Sequence, residues 1–316
     1  MLSLIFCAAT LKAETSNYSF SIAPIFGFLY GQAEEIVYKD ANSDVYMSEL
    51  LWDLKPLFYA GLKASFGPRN YFDKSGFFIN GSIKFGFPLN TGNMEDRDWQ
   101  YPDNSLTNFS CHDLVSLSSI TAGLSAGYSF RVANFLSIGA YLDFLFMQQS
   151  WSASDGYYQY LKVDKFNNIE PGQVWTDDIP KEYLTGEIIN YKQDWFIFAP
   201  FVLIKGRVNH LLSLEAFFGY SPLIYCSDRD LHVQRGITYR DNTSFGHFLS
   251  AGGSIIISPL YYMDLFLTFS YKNISGSRGD VKTAASFYEG IAGTGYSAFD
   301  VGLIAVFYIN DLFRKK

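Results

Sequence analysis

This sequence predicts an all-β fold, a ten-stranded antiparallel transmembrane β-barrel, and three observations predict it. Apolar and polar residues alternate with period two in segment after segment, so each segment, as a strand, turns one face to lipid and the other to a wet interior. The connections alternate between short turns and long polar stretches, the asymmetry of such barrels. The composition is rich in strand-forming aromatics, with 30 Phe and 23 Tyr, while only 17% of residues are charged.

Taken in order, Met1 to Ala13 (MLSLIFCAATLKA) has the apolar core and small-residue end of a secretory signal without its basic start. It is read as a signal remnant, since its apolar residues run continuously where a first strand would alternate. Phe6 is too bulky beside Cys7 for a lipoprotein processing site. The barrel is placed at residues 14–309 and a tail at 310–316. In Trp52 to Ser65 the residues Trp52, Leu54, Phe58, Ala60 and Leu62 oppose Asp53, Lys55, Tyr59 and Lys63. Phe77, Ile79, Ile83, Phe85 and Phe87 oppose Asn80, Ser82 and Lys84. Leu212, Leu214, Ala216 and Phe218 oppose Ser213 and Glu215; Leu265, Leu267, Phe269 and Tyr271 oppose Asp264, Thr268, Ser270 and Lys272; Val301, Leu303, Ala305, Phe307 and Ile309 oppose Asp300 and Tyr308. Short turns are expected at Gly67 to Gly76, Phe130 to Asn134, Gly206 to His210 and Ser258 to Tyr262. Long polar loops are expected near Lys39 to Ser43, Arg97 to Ser110, Ser152 to Gly186, Arg229 to Ser244 and Lys272 to Ser297. A soluble sandwich also alternates, but the scattered Lys, Asp, Asn and Ser of the non-apolar faces suit a wet lumen, and the aromatics suit interfacial girdles. Mean hydropathy is only +0.04, and past the N-terminus no run of about 18 apolar residues marks a membrane helix.

The net charge of -7 argues against nucleic acid and suits cationic peptide or protein substrates if the acidic groups gather in one cleft. Outside the signal-like segment the cysteines are Cys111 and Cys226. One disulfide and two free thiols are both compatible with their placement near strand ends on one side.

Two motifs carry chemistry. Gly92 to Trp99 (GNMEDRDW) sets Asp96 and Asp98 one residue apart, on one face of a strand, and Cys226 to Arg240 (CSDRDLHVQRGITYR) sets Asp230 and His232 at the same spacing. Either pair alone is weak among 31 acidic residues. Converging at one rim, two carboxylates and an Asp-His pair can hold a water, deprotonate it and attack a carbonyl without a serine or cysteine nucleophile. No Cys or His pair stands at metal spacing, and neither a phosphate loop nor a nucleophile elbow is present. His210 and His247 are expected to be structural, while His112 lies near the Asp98 loop.

NMEDRDW (Asn93 to Trp99), SDRDLH (Ser227 to His232), ITYR (Ile237 to Arg240), NYKQ (Asn190 to Gln193) and EIVY (Glu35 to Tyr38) occur in positions at which the chain resembles the omptin family of outer-membrane aspartate-type endoproteases. The resemblance implies a ten-stranded barrel with its active site facing the exterior. Asp96 and Asp98 would be the catalytic couple and Asp230 and His232 the dyad. Glu35 and Asp228 would form the acidic floor of a pocket for Arg or Lys, with Met94 and Ile189 as apolar lining.

Three positions depart from the family pattern. Asn108 stands where an acidic residue often lines the pocket beyond the cut. Asp194 and Trp151 stand where arginines hold lipopolysaccharide phosphates in the family. A carboxylate at Asp194 would repel a phosphate, so the expectation is no cofactor and either no lipopolysaccharide requirement or another envelope lipid as activator. The outer-membrane lipid is the expected surrounding partner, and a monomer is expected. The competing reading is a catalytically inactive barrel acting as an adhesin. Porin function is disfavoured because a lumen of about ten strands is filled with side chains.

Overall fold

The computed structural model describes residues 18–100, 105–162 and 173–312; the signal-like segment at 1–13 and the end of the expected tail lie outside them. Fourteen strands form one antiparallel sheet. They are β1 (Tyr18–Tyr38), β2 (Tyr46–Pro68), β3 (Gly76–Gly86), β4 (Asn90–Asp98), β5 (Asn108–Ala133), β6 (Leu136–Tyr160), β7 (Glu182–Tyr183), β8 (Glu187–Arg207), β9 (Leu212–Ser221), β10 (Ile224–His232), β11 (Ile237–Ser244), β12 (His247–Leu260), β13 (Met263–Lys282) and β14 (Phe287–Tyr308), followed by a single helical turn, α1 (Ile309–Leu312).

Three pairs of these segments are single barrel strands with a short interruption. β3 and β4 both lie between β2 and β5. β9 and β10 both flank β8, and β11 and β12 both flank β13. With the two-residue β7 set aside, ten barrel strands remain among the described residues. β14 pairs with β1 from Tyr308 opposite Ser21 to Ala292 opposite Val37, which closes the ring of the ten described barrel strands.

An outward apolar band encircles the barrel. On β1 it runs through Phe20, Ile22, Phe26 and Tyr30, on β8 through Phe196, Phe198, Val202 and Ile204, and on β14 through Phe299 and Leu303, all exposed. Beyond it, away from the chain termini, outward positions turn polar: Gln32 and Glu34 on β1, Lys192 and Asp194 on β8, Arg229 on β10 and Arg240 on β11. β5 is 26 residues long, far more than the roughly 9–11 that cross a bilayer, so the strands project past the band at this rim. Much of what the sequence suggested as polar loops between Arg229 and Ser244 and between Lys272 and Ser297 is therefore paired strand.

The alternation in β2 is not continuous. Leu57 lies opposite Leu29 but Leu54 lies opposite Gly31, so an extra residue at Lys55 and Pro56 forms a bulge that reverses the faces. Trp52 and Leu54, which simple alternation assigns to lipid with Phe58, point inward and are fully buried, whereas Phe58 is exposed. Proline fits there because a bulge leaves a backbone position unpaired.

The inward turn of Trp52 builds the floor of the rim. Its ring stacks on Tyr191 at 4.6 Å and 17°, and Tyr191 stacks on Trp151 at 5.9 Å and 15°. Trp151 is fully buried in the lumen. It therefore cannot occupy the lipid-facing position to which the family comparison assigned it; its neighbours Ser150 and Ser152 are the outward residues of that stretch.

Candidate active site

Each candidate catalytic residue sits on a strand that projects past the apolar band. Asp96 and Asp98 end β4, with Asp98 paired to Ser48 on β2 and to Asn108 on β5. Asp230 and His232 end β10, paired to Tyr191 and Ile189 on β8. His232 Nε2 stands 2.7 Å from Asp230 Oδ2, which leaves Nδ1 as the free basic nitrogen. The imidazole edge packs on the Tyr239 ring at 5.3 Å, so the ring is held from two sides.

The two halves meet across the lumen. Asp96 holds its proton well above the usual carboxylate range, first because it is desolvated and then because Asp98 and Asp230 add negative potential, with Arg235 and a 3.5 Å bond from Ser48 opposing. Asn108 Nδ2 donates to Asp98 Oδ2 at 3.0 Å. The residue that departs from the family pattern thus orients a catalytic candidate.

Below the dyad lies a second acidic group. Glu35 on β1 and Asp228 on β10 are 3% and 4% exposed, and burial pushes both carboxyls well up, Glu35 further by Asp230, Asp228, Asp241 and Asp96, and Asp228 by Asp241. Tyr191 Oη donates to Asp228 Oδ2 at 3.0 Å. Met94 and Ile189 are both buried, paired respectively with Trp52 and His232. All eight candidates thus lie in the same rim region. His112 does not face the cleft as a free group: it is buried, with Nδ1 2.6 Å from the Asp155 carbonyl and Nε2 3.0 Å from Ser110 Oγ. His247 is occupied by Tyr220 Oη at 2.8 Å. Cys111 and Cys226 are free thiols.

Sequence reasoning missed Asp241 on β11, which is 1% exposed. Its carboxyl is pushed up to about 7 by burial and by Asp230, and its backbone N–H donates to Asp228 Oδ1 at 3.1 Å. A signal was available: Tyr239, Asp241 and Thr243 alternate on the face of ITYRDNTS that meets Asp228 and Asp230.

Residues 16–303 match the omptin family model. The chain belongs to the omptin family. Among curated proteins it is similar to the plasminogen activator of Yersinia pestis, 25% identical over 289 residues, covering 87% of this chain and 83% of that one. Among solved structures it is similar to the outer-membrane protease OmpT of Escherichia coli, with a TM-score of 0.77, 18% identity, and coverage of 92% of this chain and 97% of that one; at that identity the likeness speaks for the fold. As an omptin, the protein is an outer-membrane β-barrel peptidase.

Proposed function

We propose that this omptin cleaves polypeptides at basic residues from the exterior side of the outer membrane, with water as the nucleophile. The observation that carries the reading is the 2.7 Å contact between His232 and Asp230, with the Asp96 carboxyl near enough across the lumen for the negative charge of Asp230 to raise it further.

The chemistry follows from these groups. His232 Nδ1 takes a proton from a water lying between dyad and couple, and the hydroxide attacks the peptide carbonyl carbon. Asp230 accepts from Nε2–H and stabilises the imidazolium. Asp96, which keeps its proton more tightly than an ordinary carboxyl, donates a hydrogen bond to the developing oxyanion, while Asp98, fixed by Asn108, orients the water. The imidazolium then returns its proton to the leaving amine as the carbon–nitrogen bond breaks. Glu35 and Asp228 receive the Arg or Lys side chain before the cut, through charge-assisted bonds about twice as strong as neutral ones, and Met94 and Ile189 line the approach.

The exterior orientation is supported by the loop asymmetry: short turns lie at the terminal rim and the long strands and connections at the catalytic rim. Asp194 faces outward near the apolar band, paired with Lys192 at 2.7 Å and accepting from Gln148 at 2.9 Å. A position so occupied is unsuited to a phosphate, so full activity without lipopolysaccharide is the proposed behaviour, with the protein working as a monomer.

The test is cleavage of a quenched Arg-Arg peptide by the refolded barrel, with and without lipopolysaccharide. His232→Ala should reduce kcat/KM by about 10²–10⁴-fold. Activity that appears only with lipopolysaccharide would overturn the lipid reading, and a folded wild type that cleaves nothing under either condition would favour the adhesin.

A further inference from the structure

The acceptors of the acidic pocket are unevenly occupied. Asp228 is the best satisfied: Oδ2 accepts from Tyr191 Oη at 3.0 Å and Oδ1 from the Asp241 N–H at 3.1 Å. Gln193 Nε2 fixes that tyrosine, reaching its hydroxyl at 2.8 Å and the Glu34 carbonyl at 2.9 Å. On either side the pattern reverses. Glu35 Oε2 and Asp241 Oδ1 are buried acceptors without a hydrogen-bond partner among the described residues.

The barrel brings these two walls together. Thr243, the next inward residue after Asp241, meets Thr294 at 2.5 Å between the hydroxyl oxygens, and Ser277 Oγ joins Thr294 Oγ1 at 2.9 Å. Thr294 is the register partner of Glu35. These contacts tie β11 and β13 to β14 beside Glu35, and Asp241 raises the Glu35 carboxyl across the space they share with Asp228. A buried carboxylate oxygen left unmatched is costly and marks where a donor belongs.

We propose that Asp241 is a third carboxylate of the cation pocket and that it makes the pocket select an arginine guanidinium over a lysine ammonium. The inference rests on the peptidase reading and deepens it. A guanidinium is planar and carries five N–H donors in a fork, so it can address Glu35, Asp228 and Asp241 together. An ammonium is a compact, strongly hydrated charge with three donors and reaches the outlying acceptors less fully.

The test uses two quenched peptides differing only in Arg or Lys before the cut, and the variant Asp241→Asn, which preserves the backbone N–H to Asp228. Folding is checked by circular dichroism. Loss of the third carboxylate should lower kcat/KM for the Arg peptide roughly tenfold or more, mainly through KM, with a smaller change for Lys. A parallel arm measures calorimetric binding of agmatine and of butylamine to wild type and variant, which needs no catalysis. An Arg-to-Lys ratio unchanged in the folded variant overturns the proposal, as does agmatine binding that is absent or equal in both proteins. If wild type cleaves neither peptide yet binds agmatine in an Asp241-dependent way, the pocket assignment stands and the peptidase reading fails.

Discussion

The two halves of the lumen are both lined by charge and treat it in opposite ways. In the half nearer the termini, Asp300 and Glu215 are each paired with lysine. Asp300 meets Lys84 at 2.8 Å and Lys272 at 3.4 Å and also accepts from Tyr59, and Glu215 meets Lys205 at 2.9 Å. A cavity of about 340 Å³ lies among them, lined in part by Lys63, Asn80, Asp143 and Ser254, away from the candidate catalytic groups. At the catalytic rim, Glu35, Asp228 and Asp241 crowd together, and among the described residues no Lys or Arg ion pair reaches any of them. Neutralised charge stabilises a barrel; like charges held together with open acceptors store binding capacity for a cation from outside. The difference separates scaffold from site without reference to any motif.

The comparison is broken most forcefully at Asp300. Asp300→Ala strands two lysines in the lumen, and removing one partner of a buried pair costs about 3–5 kcal/mol. The urea midpoint in detergent micelles should fall sharply while kcat/KM of the folded fraction stays near wild type. A variant that loses activity without losing stability would show that the lower lumen is not merely scaffold.

The same contrast sets what the sequence could reveal. Period two assigned Phe77, Ile79, Ile83, Phe85 and Phe87 to lipid, and all five are exposed; the first four lie in β3, which is regular, so that a side chain's face follows from parity alone. Parity fails where an extra residue enters. The bulge at Lys55 and Pro56 turns Trp52 and Leu54 inward, and nothing in local propensity signals that shift, since it depends on which residue of β1 lies opposite. The gathering of the candidates Asp96, Asp98, Asp230 and His232 at one rim was legible from their spacing and family likeness. Asp241 was not singled out because its importance lies in what faces it across the barrel.

A second way to sharpen the comparison is pH. Burial and the neighbouring Asp230 push the Asp241 carboxyl up to about 7 in the folded protein, against about 3.9 for an ordinary aspartate. Asp230 on β10 faces it with negative charge, the Asp228 and Glu35 carboxyls beside it are themselves pushed up by burial and by Asp241, and His232 is already engaged by Asp230. Because the folded value is raised, the group favours the folded state fully below about pH 4, and that contribution is lost as pH rises through about 7. At about 1.4 kcal/mol per pH unit between the two values, the effect amounts to a few kcal/mol. The wild-type urea midpoint should therefore decline between pH 5 and 8, with Asp241→Asn flattening the slope. An equally steep decline in the variant would place the titration elsewhere. Substrate affinity runs the other way: KM for an Arg peptide should rise as pH falls below 7 and the third carboxylate becomes neutral.

The smallest expected effect tests whether the rim is organised by hydrogen bonds as well as by charge. Asn108 gives Asp98 one amide donor at 3.0 Å, and one bond to a charged group is worth about 1.5–3 kcal/mol at most when nothing replaces it. Water can reach this part-exposed rim, so Asn108→Ala should cost nearer 1 kcal/mol, or roughly fivefold in kcat, with little change in KM because in the proposed mechanism Asn108 holds the Asp98 that orients the water and does not touch the basic side chain. Asn108→Asp separates the possible roles further. If the position lined a pocket for a second basic residue, the added carboxylate would improve cleavage of Arg-Arg over Arg-Ala peptides. If its duty is to hold Asp98, a carboxylate there replaces a donor with a like charge, and kcat should fall for both peptides alike.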